Sequence, residues 1–227
     1  MKLGKKQGGF TLVEIAIVLV IVGLLLAGVL KGQELIENSR IKAIANEMKS
    51  VQAAYNGYID RYKAIPGDEA LAAMTARGWA TTAAGAVPNN GVLAITPAQA
   101  ITNGGDQPAF WGALRGSGLF VGDAAAGAAV GVAGLPRHSG GGLIAVSVAV
   151  YNQPGLQVCA TGLNTKQAAG IDTLIDGALP ATQIGNNVGT VRGATGAANP
   201  LAPVVGLPVG AAYNEAAVTL WTICMPL

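Results

Sequence analysis

The chain has 227 residues, of which 51% are hydrophobic and only 11% charged, against a usual charged share of about 25%. That composition excludes a charge-driven disordered chain and a coiled coil over the full length. The 33 glycines and 11 prolines stay below the range of low-complexity chains, and a net charge of +2 is too small for a nucleic-acid footprint.

The charges are unevenly placed. Residues 1–9 carry Lys2, Lys5 and Lys6 and no acid, and the remainder is close to neutral. From Phe10 to Leu30 the chain is apolar apart from Thr11, Glu14 and its glycines. A bilayer core of about 30 Å needs roughly 20 such residues as helix, so this run can span it. Lysines before the run and none within it predict a cytoplasmic amino terminus, with everything after Lys31 outside. The run is too long for the apolar segment of an ordinary signal peptide, about 7–15 residues, and has only weak cleavage candidates around Ala27 and Gly28. Glu14 fits neither a signal peptide nor a plain anchor. A carboxylate at the start of a spanning segment is costly unless paired, which makes it a functional candidate. No cation lies within a helical turn of it on the apolar side.

These residues carry a resemblance. GGFTLVEIAIVLVIVGLLLAGVL, Gly8 to Leu30, resembles the class III leader junction of type IV pilins and pseudopilins. The resemblance implies that a membrane aspartyl peptidase cuts after Gly9 and that the new amino-terminal Phe10 is N-methylated. It also implies that Glu14 is the family's assembly glutamate. The physical logic can be read directly: cutting after Gly9 creates an α-ammonium at Phe10, the cation that Glu14 lacks. In a staggered stack of helices, Glu14 of one subunit would meet the Phe10 amine of a neighbour. A buried carboxylate is compensated only when so paired, so the pair would select register. Where many type IV pilins have a helix-breaking proline this chain reads Lys31, and Gly23, Gly28 and Gly32 become the places where the helix would loosen.

After Leu30 the pattern becomes periodic. Apolar residues at Ile41, Ile44, Met48, Val51, Tyr55, Tyr58, Tyr62 and Ile65 alternate spacings of three and four, one stripe of an amphipathic helix. Pro66-Gly67 stops it. The expected organisation is a leader (1–9), a membrane and filament-core helix (10–30), an amphipathic stalk helix (31–65), a Gly/Ala-rich connection (66–142) and a β-sheet domain (143–227). The fold class is α+β, a long amino-terminal helix packed on a small antiparallel sheet. Within 66–142, only Pro108–Leu114 and Gly118–Val121 look like core. Leu143–Tyr151, Gln157–Ala160 and Ala217–Cys224 read as strands, and Thr165–Gly185 as a short helix followed by a loop. Arg61–Ala70 and Ala168–Gly185 also resemble segments of larger proteobacterial pilin-like proteins.

Cys159 and Cys224 are the only cysteines. The topology puts both outside the cytoplasm, where disulfides persist; the alternative is two buried thiols. A bond closing so long a loop is worth about 4 kcal/mol in the chain-entropy account. Pilins commonly carry a carboxy-terminal disulfide loop, so the resemblance agrees.

Catalytic patterns are missing from the sequence. His138 is the sole histidine, which removes histidine-based zinc clusters and Ser-His-Asp schemes. Arg137–Gly142 (RHSGGG) reads as a surface turn. Asp172 and Asp176 would share a helical face, where capping and solvation are the default and calcium the minor alternative. Tyr55, Tyr58 and Tyr62 read as core. No catalytic residue, metal site or cofactor is expected.

The sequence therefore points to a structural subunit of a type IV pilus rather than an enzyme. The 218 residues left after cleavage and the long connection lean toward a minor pilin. Its partners would be other pilin subunits through the amino-terminal helix, the prepilin peptidase and methyltransferase, and an inner-membrane assembly platform. It would wait in the inner membrane as a single-pass protein before entering an extracellular pilus or a periplasmic pseudopilus. The competing readings are a pseudopilin of a type II secretion system and a membrane-anchored binding domain that never polymerises.

Overall fold

The computed structural model describes residues 9, 11–79, 88–128, 131–177, 188–196, 198, 200–206, 213 and 219–227. It forms two compact units divided between Ser39 and Arg40. A single helix, α1 (Leu12–Tyr62), supplies residues to both.

In the first unit α1 is apolar from Leu12 to Leu30 apart from Glu14 and is exposed throughout that stretch, and the helix is long and apolar enough to cross a membrane. Many of its residues are β-branched (Val13, Ile15, Ile17, Val18, Val20, Ile21, Val22), a composition with mediocre helix propensity in water. In hydrocarbon the ranking matters less, because every backbone N–H and C=O must be satisfied within the segment and the helix does this. In the single chain the helix runs unbroken through Gly23, Gly28, Lys31 and Gly32.

In the second unit the stripe on α1 is buried at Ile41, Ile44, Met48, Val51 and Tyr58, joined by Ala45 and Ala54, while Tyr55, Tyr62 and Ile65 are half-buried. The helix stops at Tyr62 because Lys63 turns to φ +54°, ahead of Pro66.

The segment 66–142 holds α2 (Leu71–Ala76), α3 (Pro97–Ala100), α4 (Gln107–Gly116), α5 (Ala124–Ala128) and a 3₁₀ turn (Val132–Gly134). Its contribution to the core is larger than expected. Besides Phe110, Trp111 and Leu114 on α4, residues Met74, Leu93, Ile95, Ala100 and Leu135 are buried in the same cluster as the α1 stripe. Scattered single apolar residues between turns leave no periodicity to read, yet each fills the core once the turns place it. The turns are held by side chains: Asp68 accepts from the N–H groups of Asn90 (3.1 Å) and Gly91 (2.8 Å), and Asp106 from that of Ala94 (2.6 Å).

The sheet has four antiparallel strands, β1 (Ile144–Val148), β2 (Leu156–Leu163), β3 (Arg192–Gly196) and β4 (Leu220–Pro226), in the order β1-β2-β4-β3. The first strand ends at Val148, short of the expected Tyr151, because Ala149, Tyr151 and Asn152 all adopt positive φ in the turn that follows. The second is longer than the expected Gln157–Ala160 and carries a bulge between Ala160 and Leu163. The last is Leu220–Pro226, running past the expected Cys224; the expected start at Ala217 lies outside the described residues. The strand β3 was not expected, since its sequence, RGATG, has no alternating apolar face. The edge of β1 is closed by Gln107, whose Oε1 accepts from Val146 N at 3.0 Å, which blunts an edge otherwise open to pairing.

Between β2 and β3 lies α6 (Thr165–Asp176). A reciprocal capping box of Asn164 and Gln167 starts it, and Gly177 ends it at φ +87°. The loop expected as far as Gly185 falls at 178–187, outside the described residues.

Candidate functional site

The junction at the start of α1 is built from few atoms. Gly9 is exposed, and a side-chain carbon added there would meet nothing within 4 Å. Phe10 and the leader lysines lie outside the described residues. Thr11 and Glu14 form a capping box: Glu14 Oε2 accepts from Thr11 N (2.8 Å) and Thr11 Oγ1 (2.9 Å), while Thr11 Oγ1 accepts from Glu14 N (3.3 Å). The carboxylate thus satisfies first-turn donors that have no intrahelical partner. No cation among the described residues pairs with Glu14. The pairing with Thr11 was missed at the sequence level, although T-x-x-E ahead of an apolar run is its signature.

Residues 4–30 match the family model of the prokaryotic N-terminal methylation motif. This is the class III leader of the type IV pilins and pseudopilins. The leader implies processing by a prepilin peptidase and assembly with other pilins, and it supports membership of the pilin or pseudopilin group. Together with the long apolar helix it fits a membrane-anchored pilin precursor. The matched motif is a structural leader, not an enzyme family. No curated protein and no solved structure matches the chain.

In the second unit of this leader-bearing chain, Cys159 on β2 and Cys224 on β4 are directly opposite neighbours, fully buried and joined as a disulfide with Cα atoms 4.0 Å apart. Val150 and Tyr151 pack around them, and Tyr151 donates its hydroxyl to Thr222 O at 2.9 Å.

His138 corrects an expectation. Its residue belongs to a turn, but the ring is buried at 3% exposure. Its Nδ1 accepts from Gly140 N (3.1 Å), which leaves Nε2 to donate to Thr161 O (2.8 Å). Burial lowers its pKa, and both ring nitrogens are already used in the neutral form. The run SGGG hid this, because glycines admit a buried neighbour that periodicity does not report.

Asp172 and Asp176 share a helix, yet their carboxylates do different work. Asp172 is 3% exposed and accepts from the Tyr213 hydroxyl at 2.8 Å; burial pushes it up to about 6. Asp176 is engaged by the N–H groups of Thr190 (2.9 Å) and Val191 (2.8 Å) and by the Thr190 hydroxyl, which ties the start of β3 to the end of α6.

A further cluster has no signature in the sequence. Arg77 holds Glu69 through two parallel bonds of 2.7 Å, and the buried Tyr58 hydroxyl donates to the same carboxylate. The guanidinium lies over Tyr62 (4.6 Å) and Trp79 (5.1 Å). Although desolvation opposes it, Arg77 and Tyr58 keep Glu69 below the usual carboxylate range. Burial and the Glu69 carboxylate raise Tyr58. The group joins the end of α1 to α2 and offers no nucleophile–base pair.

Proposed function

We propose that the chain is a structural subunit of a type IV pilus, cleaved after Gly9, N-methylated at Phe10 and polymerised through its amino-terminal helix, with a minor-pilin role. The observation that carries this reading is the leader motif at residues 4–30, joined without a break to the apolar and then amphipathic helix α1. Cleavage would create the Phe10 amine near a carboxylate whose partner among the described residues is Thr11. On assembly Glu14 would exchange that neutral donor for the amine of a neighbouring subunit, so that the buried carboxylate is paired with an opposite charge. The lysine-rich leader supports a cytoplasmic amino terminus before extraction from the membrane. The domain from Arg40 onward would stand outside, where its disulfide persists. A type II secretion pseudopilin shares the leader and is the second reading.

The test is intact-mass and amino-terminal peptide mass spectrometry on the chain from cells with a working prepilin peptidase. An N-methylated Phe10 is expected at the mature terminus. An intact Met1 leader, or a cut near Ala27, would overturn the filament reading and leave an anchored or secreted binding domain. Isolation from sheared surface filaments, as against retention in the periplasm, separates pilus from pseudopilus.

A further inference from the structure

Where the turn before β1 meets the bulge of β2, the second unit has a cavity of about 390 Å³. It is lined by the glycines at 140, 141 and 142, Thr161 and Gly162 at the bulge, Arg137, and the apolar Val132, Leu143 and Pro200. Bulges recur beside binding and active sites, where they end strand pairing and open the sheet, and the volume falls in the range of small-molecule pockets, roughly 300–1,000 Å³.

The walls are held in place. A carbon added at Gly142 would collide with Thr161 O and His138 Nε2, so only glycine lets the turn approach the bulge this closely. The buried His138 ring joins the two by bonding Gly140 N on one side and Thr161 O on the other. Leu143 N adds a bond to Thr161 Oγ1 at 3.1 Å.

The charge is one-sided. Arg137 donates one bond, from Nη1 to Gly141 O at 3.2 Å, and the rest of its fork meets no described residue. By contrast, Arg77 is committed to Glu69 and Arg192 to the carbonyls of Tyr151 and Gly189. Among the described residues no carboxylate lines the cavity. The one acid bonded to this turn, Glu47, accepts from Ser139 N at 3.0 Å. His138 contributes no cation while both its nitrogens are engaged in the neutral form.

We infer that this cavity is a binding site for a small oxyanion, a carboxylate or phosphate group on a compact polar molecule, held by the Arg137 guanidinium against the glycine turn. A guanidinium presents paired donors in the geometry that carboxylate and phosphate oxygens accept. Three successive residues without side chains leave room for the body of the ligand beside the main chain.

The test is amide chemical-shift mapping on the full-length chain in detergent micelles, titrated separately with glucuronate, inorganic phosphate and glucose. Glucuronate, phosphate or both should shift the amides of Gly140, Gly141, Gly142 and Gly162, and glucose should not. Arg137→Gln should weaken the effective anion about tenfold or more, and Arg137→Lys should retain part of the affinity, with the rest of the spectrum unchanged in both variants. A response to glucuronate alone identifies a sugar acid as the source of the oxyanion. A response to phosphate identifies a phosphate group. No shift at these glycines, an equal shift with glucose, or binding unaffected by Arg137→Gln would overturn the assignment.

Discussion

Two stretches of the same helix contrast most sharply. Between Leu12 and Leu30, Ile15, Ile17 and Leu19 are 47%, 55% and 67% exposed, whereas Ile41, Ile44 and Met48 further along are at 7%, 0% and 0%. The residue types are alike and the helix is continuous. The difference lies in what the chain itself provides to cover them. Burying an isoleucine stabilises by about 1.5–3 kcal/mol, and the second stretch obtains this from its own sheet and short helices. The first obtains nothing from its own unit. Its apolar surface is a requirement for an external partner, and on the proposed function that partner is first the bilayer and then other subunits.

That contrast can be broken in several ways. The largest effect is expected from Glu14→Ala, which on the proposed function should abolish filament recovery by shearing and electron microscopy while leaving the melting of the unit from Arg40 onward unchanged. Normal filaments from that variant would sink the register argument. Replacing both Cys159 and Cys224 by Ala should cost about 4 kcal/mol in denaturant unfolding, without altering processing of the leader. Ile44→Ala should cost about 2–5 kcal/mol, from lost transfer energy and the cavity left behind.

The pH dependence tests the interior from another side. The folded pKa of Asp172, about 6, lies above its ordinary 3.8, so its contribution is full below about pH 4 and is lost as pH rises through about 6, at most about 3 kcal/mol. His138 acts in the opposite sense. Its lowered value means a contribution present above pH 6.5 and lost as pH falls through the folded pKa. Asp172→Asn should therefore remove the loss seen as pH rises from about 4 through about 6, while leaving the loss from His138 on acidification intact; an unchanged stability profile would show that Asp172 is not desolvated. The smallest effect is expected for Ile17→Ala, below about 0.5 kcal/mol on the unit from Arg40 onward. A loss comparable to that of Ile44→Ala would erase the contrast between the two stretches.

Much of the fold was legible because it rests on local patterns. The 3-4 spacing from Ile41 to Tyr62 announces one buried helical face, Pro66-Gly67 marks its end to within a turn, and Leu143–Tyr151 and Ala217–Cys224, which read as strands, each contain much of one. Other parts were not legible. The strand β3 is recruited by pairing with β4 rather than by its own residues, Arg192 to Gly196, of which two are glycine. The Tyr58–Glu69–Arg77 cluster joins residues from separate elements: Tyr58 reads as core from the stripe, but Glu69 and Arg77 look like ordinary surface residues in their own windows. His138 looked exposed because its neighbours are Ser139 and glycines; the bulge carbonyl of Thr161 that accepts its bond lies 23 residues away. At the junction the situation is reversed, since Thr11 and Glu14 meet across one helical turn and their pairing was available from spacing alone.

The sequence by itself determined the leader motif, the apolar helix and the stripe that is buried from Ile41 onward, because these depend on order and spacing along a single helix. Tertiary structure alone decided which acids are buried, where the sheet's fourth strand comes from, and that Arg137 and the glycine turn face a cavity. Those outcomes depend on desolvation and on donors brought together from distant positions, and both quantities exist only once the chain has closed around them.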